Sequence, residues 1–540
     1  MDMGCAVLFL APPCTGAASD NLSMRLVSKT QLMPALLACW ACTSAYALPP
    51  EVLAALARAG VPRDAISVMV GALPPAVSTA LTPLSPSTAD SANAPEALAQ
   101  GAGKAKLVPA ATQIPAASAP TYRISHRADA SVNPASVMKL VTTYAALHAL
   151  GPNFTWKNRV YVDGLIVRGG VLEGNLILRG SGDPKLVLER IQDLFAQVQA
   201  KGVREVRGDI ILDRSVFQVA DKNPAEFDDE PLRPYNAAPD GLLVNFKSLV
   251  FTFTPDEAGQ RVLVKSEPPI AGVSIPSELP MGGGGCANWK ANLKADFFTP
   301  SKVEFAGRYP SNCGEKVWAV AYSEPRAYAG RVIDAMWRAS GGSLTGTVRE
   351  DALPRKARPL LSADSLPLAD IIADVNKFSN NVMAQQVFLT LSAQKGHASF
   401  DASKKQLANW WQVNLPGFSL PVIENGSGLS RKERTSAQAL TGLLQHAAAS
   451  PHAEVFANSL SIAGVDGTVT RMRERNPTSE ALGNAQLKTG TLNNVAALAG
   501  YATGRSGQRY SIVAIINHPN AGAARPALDK LVEWTVREDK

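Results

Sequence analysis

The run Asn133-Pro134-Ala135-Ser136-Val137-Met138-Lys139-Leu140 decides how the rest of the chain reads. The residues that follow, 141–150, place apolar side chains at helical spacing, so Ser136 and Lys139 are expected in the first turn of a helix. Residues three apart on a helix share a face, which sets a hydroxyl beside an amine. A buried helix N-terminus is positive and presents free N–H groups. That field suits a developing oxyanion and helps depress a lysine pKa. A neutral lysine can then take the proton of the serine and make it a nucleophile.

Ser-x-x-Lys arises by chance in a chain of 540 residues and gains meaning from its company. Ser379-Asn380-Asn381 and Lys488-Thr489-Gly490-Thr491 follow it in order. The three together resemble the motif set of a penicillin-recognising serine peptidase.

Composition is that of a globular protein, 46% hydrophobic and 18% charged, and the length allows two or three domains. The net charge of +7 is scattered, with no lysine/arginine block and no basic stretch interleaved with aromatics. That distribution argues against a nucleic acid partner.

The N-terminus reads as an export signal. Met24-Arg25 and Lys29 are a positive start, 32–42 is short and apolar, and Ala45-Tyr46-Ala47 is an A-x-A cleavage site. Met24 is then a candidate true start. Lipidation at Cys39, within Leu36-Leu37-Ala38-Cys39, is the rival reading. Cleavage after Ala47 leaves Cys286 and Cys313, which in an exported chain read as one disulfide. No histidine is close enough in sequence to either cysteine to suggest zinc. No later segment is apolar for the length of a membrane span.

In chain order, 50–59 reads as a helix, 65–70 as a buried strand, and 74–120 as a flexible Ala/Pro-rich insertion. From about 160 the texture changes to short strands and turns. Gly180-Ser181-Gly182-Asp183-Pro184 reads as a turn, Asp183 capping a helix that begins near Lys185. Residues 250–254 and 260–265 read as a hairpin, and 325–340 as a helix. Amphipathic helices are expected at 368–379 and 382–391, and Arg434-Thr435-Ser436 caps another. Three strands, 485–491, 496–502 and 510–516, precede a closing helix.

With these residues in view, the chain resembles the class C, low-molecular-weight penicillin-binding proteins of the D-Ala-D-Ala carboxypeptidase/endopeptidase family, peptidase family S13, penicillin-binding protein 4-like. The resemblance runs from about Leu48 to the C-terminus, the 74–120 insertion excepted. It includes the turns Gly182-Asp183-Pro184, Gly426 to Arg431 and Gly464-Val465-Asp466-Gly467. It implies an α/β (α+β) serine transpeptidase/β-lactamase-like domain, an antiparallel sheet flanked by helices, with two inserted β-rich domains. The expected division is 48–159 with 351–540 for the catalytic domain, 160–243 with 314–350 for domain II, and 244–313 for domain III.

The resemblance also implies roles. Ser136 attacks the penultimate D-alanine and Lys139 is the base. Ser379 relays a proton to the leaving amine and bridges Lys139 and Lys488. Asn381 holds the substrate backbone and fixes Lys139. Lys488, with Thr489 or Thr491, receives the substrate carboxylate, and Gly490 lets the peptide lie against the strand edge. The backbone N–H groups of Ser136 and Thr491 form the oxyanion hole. For the stem peptide, Arg434 pairs with a side-chain carboxylate, Asp229 or Asp228 meets its amine, and Asn493 lines the same wall. The expected partners are peptidoglycan stem peptides, with β-lactams as covalent inhibitors, in the periplasm. No metal or cofactor is implied, and the oligomeric state stays open, a dimer being one option. The rival readings are a β-lactamase, an esterase on the same fold, and a non-catalytic wall-binding protein.

Overall fold

The strand Arg509–Asn517 shows how the catalytic half is layered. Successive side chains on a strand point to opposite faces. Ile512, Ala514 and Ile516 enter one buried core. Val513 and Ile515 enter another. Val495–Thr503 splits in the same way, Ala496 and Leu498 to one side, Ala497, Ala499 and Tyr501 to the other. A strand buried on both faces has a continuous apolar run, and such a sheet needs a helical layer on each side.

Those strands belong to a six-stranded sheet in the order Ser461–Ile462, Ala485–Leu492, Val495–Thr503, Arg509–Asn517, Ile66–Ala72, Tyr122–His126. Every pairing in it is antiparallel. The helices Pro50–Arg58 and Arg525–Arg537 pack against its outer face. The inner face carries Lys139–Leu150, Leu368–Phe378, Asn381–Ala393 and Ala437–Ala448. This is the sheet-and-helix class that the sequence implied. The computed structural model describes residues 47–74, 121–394, 396 and 398–539. The export signal, the Cys39 alternative and nearly all of the 74–120 insertion lie outside the described residues.

Two helices differ from expectation. Ser136 lies in a short 3-10 turn, Ala135–Met138, and the α-helix begins at Lys139. The helix Asn381–Ala393 is buried around nearly its whole circumference rather than amphipathic, because it threads between the Lys139 helix and the helix Phe400–Asn414. Ser436 does cap Ala437–Ala448, its side chain accepting the Ala439 N–H at 3.0 Å.

The chain between the first and second motifs builds two further sheets. One has seven strands, with the helices Leu188–Ala200 and Pro325–Ala339 packed on it. The other has five strands and includes the expected hairpin, Ser248–Asp256 with Arg261–Glu267. Both sheets feed one continuous buried core. Strand pairing places some segments differently from the sequence division. Lys316–Ala321 joins the five-stranded sheet beside Ser248–Asp256, and Arg358–Asp364 joins the seven-stranded sheet beside Lys157–Val167. Cys286 and Cys313 are joined across 27 positions with Cα atoms 5.2 Å apart. Asp183 closes its own turn rather than capping a helix: it accepts the Lys185 N–H at 2.9 Å, while the helix starts only at Leu188.

Asp240 ties this inserted region to the catalytic helices. Its carboxylate is buried, bonded to Arg214 and 2.8 Å from Lys247. Its backbone N–H and C=O bond the side chain of Gln386, on the helix that begins with Asn381. Burial alone would push the carboxyl pKa up, but the charges of Lys247 and Arg214 outweigh it and hold the pKa below the usual value. The stability this gives is present above the unfolded carboxylate pKa and is lost as pH falls through the depressed one. Asp240→Asn, leaving buried Lys247 without its carboxylate and half-buried Arg214 with Glu350 alone, is expected to cost about 3–5 kcal/mol in urea unfolding.

Candidate active site

Three chain segments converge on Ser136. The first is its own turn. Ala135, immediately before the nucleophile, has φ 48°, a conformation that costs energy for a residue with a Cβ and persists only where neighbours impose it. Asn133 supplies that constraint. Its Oδ1 accepts the Ala135 N–H at 2.8 Å and its Nδ2 donates to Ser430 O at 2.9 Å. Asn517 clasps the Asn133 backbone from both sides, at 2.8 and 2.9 Å.

The second segment is the break between Leu368–Phe378 and Asn381–Ala393. Ser379 ends the first helix in the left-handed region, φ 58° and ψ 33°. Asn380 caps the second by accepting the Met383 N–H at 3.0 Å. This break turns Ser379 and Asn381 toward the two lysines.

The third is the strand Ala485–Leu492. Lys488 and Gly490 alternate onto one face, Thr489 and Thr491 onto the other. A Cβ on Gly490 would stand 2.5 Å from Pro134 O and 3.1 Å from Val137 N. The glycine is therefore required by the close approach of the strand to the nucleophile turn, a different reason from substrate clearance. The neighbouring strand Ser461–Ile462 pairs with Leu487 and Gln486, and among the described residues no strand pairs with that edge from Lys488 to Leu492.

Lys139 sits at the centre with 0% exposure. Its Nζ reaches Ser136 Oγ at 3.0 Å, Asn381 Oδ1 at 2.6 Å and Ser427 O at 2.5 Å. Burial first, and then the nearby charge of Lys488, hold its pKa well below the usual lysine value, while Glu433 pulls it up. A neutral amine has two N–H groups and one lone pair. Asn381 Oδ1 and Ser427 O can only accept, so they take the two N–H groups. The lone pair is left for the hydroxyl of Ser136.

Lys488 is equally buried, and burial lowers its pKa to about 7. Its Nζ donates to Ser379 Oγ at 2.8 Å and to Thr489 O at 2.9 Å. Ser379 makes no hydrogen bond to Lys139, so the expected bridge between the lysines is made on the Lys488 side only.

Ser136, Lys139, Ser379, Asn381 and Lys488 are thus brought together, with Gly490 packed on the nucleophile turn. The outer residues are not part of this network. Arg434 is half-buried and donates back to the carbonyls of Arg431 and Glu433, at 2.8 Å each. Asp229 is exposed on the inserted loop. Its neighbour Asp228 is committed to Tyr235 Oη and Asn236 Nδ2, both at 2.7 Å. Asn493 is exposed in the tight turn after Leu492.

The structure adds residues that sequence reasoning missed. Ser427 offers its carbonyl to Lys139, and Tyr235 offers its carbonyl to Asn381 Nδ2 at 3.2 Å. Thr468 bonds the Thr489 hydroxyl at 2.7 Å. Arg525 Nη2 donates to Thr491 Oγ1 at 3.0 Å. Ser427 and Thr468 lie in or beside glycine turns visible in the sequence, whereas nothing local marks Arg525.

A serine hydroxyl 3.0 Å from a buried lysine, beside a second serine–lysine pair, is an arrangement that suits a hydrolase of the serine peptidase class. Comparison with known proteins narrows this. The model of the D-Ala-D-Ala carboxypeptidase 3 (S13) family matches residues 92–538, and the chain belongs to that family. It is 29% identical over 429 residues to a D-alanyl-D-alanine carboxypeptidase of Actinomadura sp., covering 75% of this chain and 77% of the relative. It is 26% identical over 397 residues to D-alanyl-D-alanine carboxypeptidase DacB of Haemophilus influenzae, covering 72% and 81%. The crystal structure of penicillin binding protein 4 (dacB) from Haemophilus influenzae shares the fold, with a TM-score of 0.61 at 23% identity over 76% of this chain and 93% of that one.

Gly490→Ala tests the close approach. The added methyl forces the strand off the nucleophile turn, and displacement of catalytic groups by about 1 Å is expected to slow acylation by benzylpenicillin about 100-fold. Stopped-flow acylation, with the melting temperature as a control for folding, reads the effect.

Proposed function

We propose that the protein is a penicillin-sensitive D-Ala-D-Ala carboxypeptidase and endopeptidase that cleaves peptidoglycan stem peptides and cross-links through an acyl-enzyme on Ser136. The observation that carries this reading is the placement of buried Lys139 Nζ, 3.0 Å from Ser136 Oγ with Asn381 Oδ1 and Ser427 O on its other sides, which in the neutral amine leaves the lone pair for the serine hydroxyl.

The peptide adds to the free edge of the strand Ala485–Leu492. Its terminal carboxylate meets the hydroxyl of Thr489 or Thr491 and the charge of Lys488, whose pKa burial lowers to about 7. Arg525 orients the Thr491 hydroxyl and adds a second positive charge behind it. Ser136 Oγ attacks the carbonyl of the penultimate D-alanine while Lys139 Nζ takes its proton. The oxyanion is received by the N–H groups of Ser136 and Thr491, and loss of one such donor costs about 2.7–4 kcal/mol. Collapse breaks the C–N bond, and the leaving amine takes a proton through Ser379 Oγ, which Lys488 resupplies. Water then attacks the ester, giving its proton to Lys488 through Ser379 Oγ, while Lys139 returns its proton to the departing Ser136 Oγ, so the free acid leaves and both lysines regain their starting states.

Stem-peptide selectivity is assigned to Arg434, Asp229 and Asn493. Arg434→Ala is expected to reduce hydrolysis of diaminopimelate-containing peptides more than of lysine-containing ones, and equal loss on both overturns this assignment. The Cys286–Cys313 disulfide and the N-terminal signal together support export to the periplasm.

The deciding experiment is intact-protein mass spectrometry after brief incubation with benzylpenicillin, wild type beside Ser136→Ala. A lasting adduct of one penicillin in the wild type alone is the expected result. Penicillin destroyed with no lasting adduct favours a β-lactamase, and neither adduct nor turnover favours a wall-binding protein.

A further inference from the structure

Glu433 takes no part in the steps above, yet its side chain has 0% exposure beside the site. Oε1 accepts the backbone N–H groups of Glu424 at 2.9 Å and Asn425 at 3.1 Å. Oε2 is buried and has no hydrogen-bond partner among the described residues. The bonded oxygen closes the loop 424–433 on itself. That loop presents Ser427 O to Lys139, Gly426 O to Thr142 Oγ1 at 2.7 Å, and Ser430 O to Asn133 Nδ2 at 2.9 Å. It therefore seats both the base and the nucleophile turn.

A clasp needs only one oxygen, and an amide would supply it. The second, unbonded oxygen makes the group a carboxylic acid, and buried polar atoms without partners are uncommon. What the acid adds is a titratable charge. Burial pushes Glu433 up to about 6, against the two backbone N–H bonds and the charge of Lys139. Its other charged neighbour is Glu424, which accepts the Ser430 hydroxyl and lies 3.5 Å from Lys432. On the far side of Lys139 stands Lys488, which acts in the opposite sense.

We propose that Glu433 is a positioning residue with two tasks: it clasps the loop that holds Lys139, and it is the buried counter-charge that governs how readily Lys139 gives up its proton. This rests on the reading of Lys139 as the base. The sign follows from charge. Ionised Glu433 holds the proton on Lys139. Protonated Glu433 releases it, so the base stays available at lower pH than it would beside a fixed negative charge.

The test measures the second-order rate constant for acylation by benzylpenicillin against pH in wild type, Glu433→Gln and Glu433→Ala, with melting curves. Glu433→Gln keeps the clasp and removes the charge. Its acid limb is expected to move down by about one pH unit, the size that one close charge brings. Glu433→Ala leaves two N–H groups without their acceptor and is expected to be about tenfold slower at every pH. Superimposable acid limbs in wild type and Glu433→Gln overturn the counter-charge, and an unchanged rate in Glu433→Ala overturns the clasp. The wild type alone supplies a check if a variant fails to fold. Coupled titration of Glu433 and Lys139 makes its acid limb shallower than a single-proton curve, and a single-proton limb overturns the coupling. If Ser136 is never acylated, the base reading falls by itself. NMR titration of 13Cε-labelled Lys139 in wild type and Glu433→Gln then decides: a lower midpoint in the variant upholds the counter-charge, and an equal one overturns it.

Discussion

Two lysine side chains, Lys139 and Lys488, lie wholly out of water within one pocket. Burying an ammonium costs several kcal/mol unless a partner charge offsets it. The pocket offers Lys139 mainly neutral oxygens, so its neutral form is favoured. The surrounding architecture serves that condition. The sheet and its inner helical layer exclude water, and the helix Asn381–Ala393, buried nearly all round, carries Asn381 into the pocket.

Holding an amine between two acceptors and a serine hydroxyl requires backbone placed within a few tenths of an ångström, and local strain is where this shows. Ala135 and Ser379 both adopt positive φ without being glycine. Each is over-determined by neighbours, Ala135 by Asn133 and Ser379 by Lys488 and the new helix that starts behind it. Gly428 belongs to the same set. Its φ is 80°, and a Cβ there would stand 2.1 Å from Ala135 O. Nucleophile turn, glycine loop and the strand Ala485–Leu492 are packed backbone to backbone, which rigid catalytic constellations need.

Among the described residues, the inserted region meets the site at Tyr235 and at Phe227. Tyr235 bonds Asn381 through its carbonyl, and Arg431 lies over the ring of Phe227 at 4.8 Å. Asp240 and Gln386 hold the base of that inserted loop against the Asn381 helix. The pocket wall therefore includes residues far from the motifs in sequence, and an insertion that reads as an appendage shapes the rim.

The five residues that cluster around Lys139 and Lys488, the three C-terminal strands and the cap at Ser436 were legible in the sequence because each rests on short-range rules: motif spacing, period-two apolar runs, a hydroxyl before a helical pattern. The 3-10 turn at Ser136 and the fully buried Asn381 helix were not, because periodicity reports one buried face and says nothing when every face is covered. The sheet memberships of Lys316–Ala321 and Arg358–Asp364 were equally hidden, since strand pairing is set between distant segments. By itself the sequence determined which motif side chains are present and in what order they come. Only the tertiary structure decided the lowered-pKa state of Lys139. That state depends on burial and on charges contributed by Lys488 and Glu433, brought to Lys139 from hundreds of residues away.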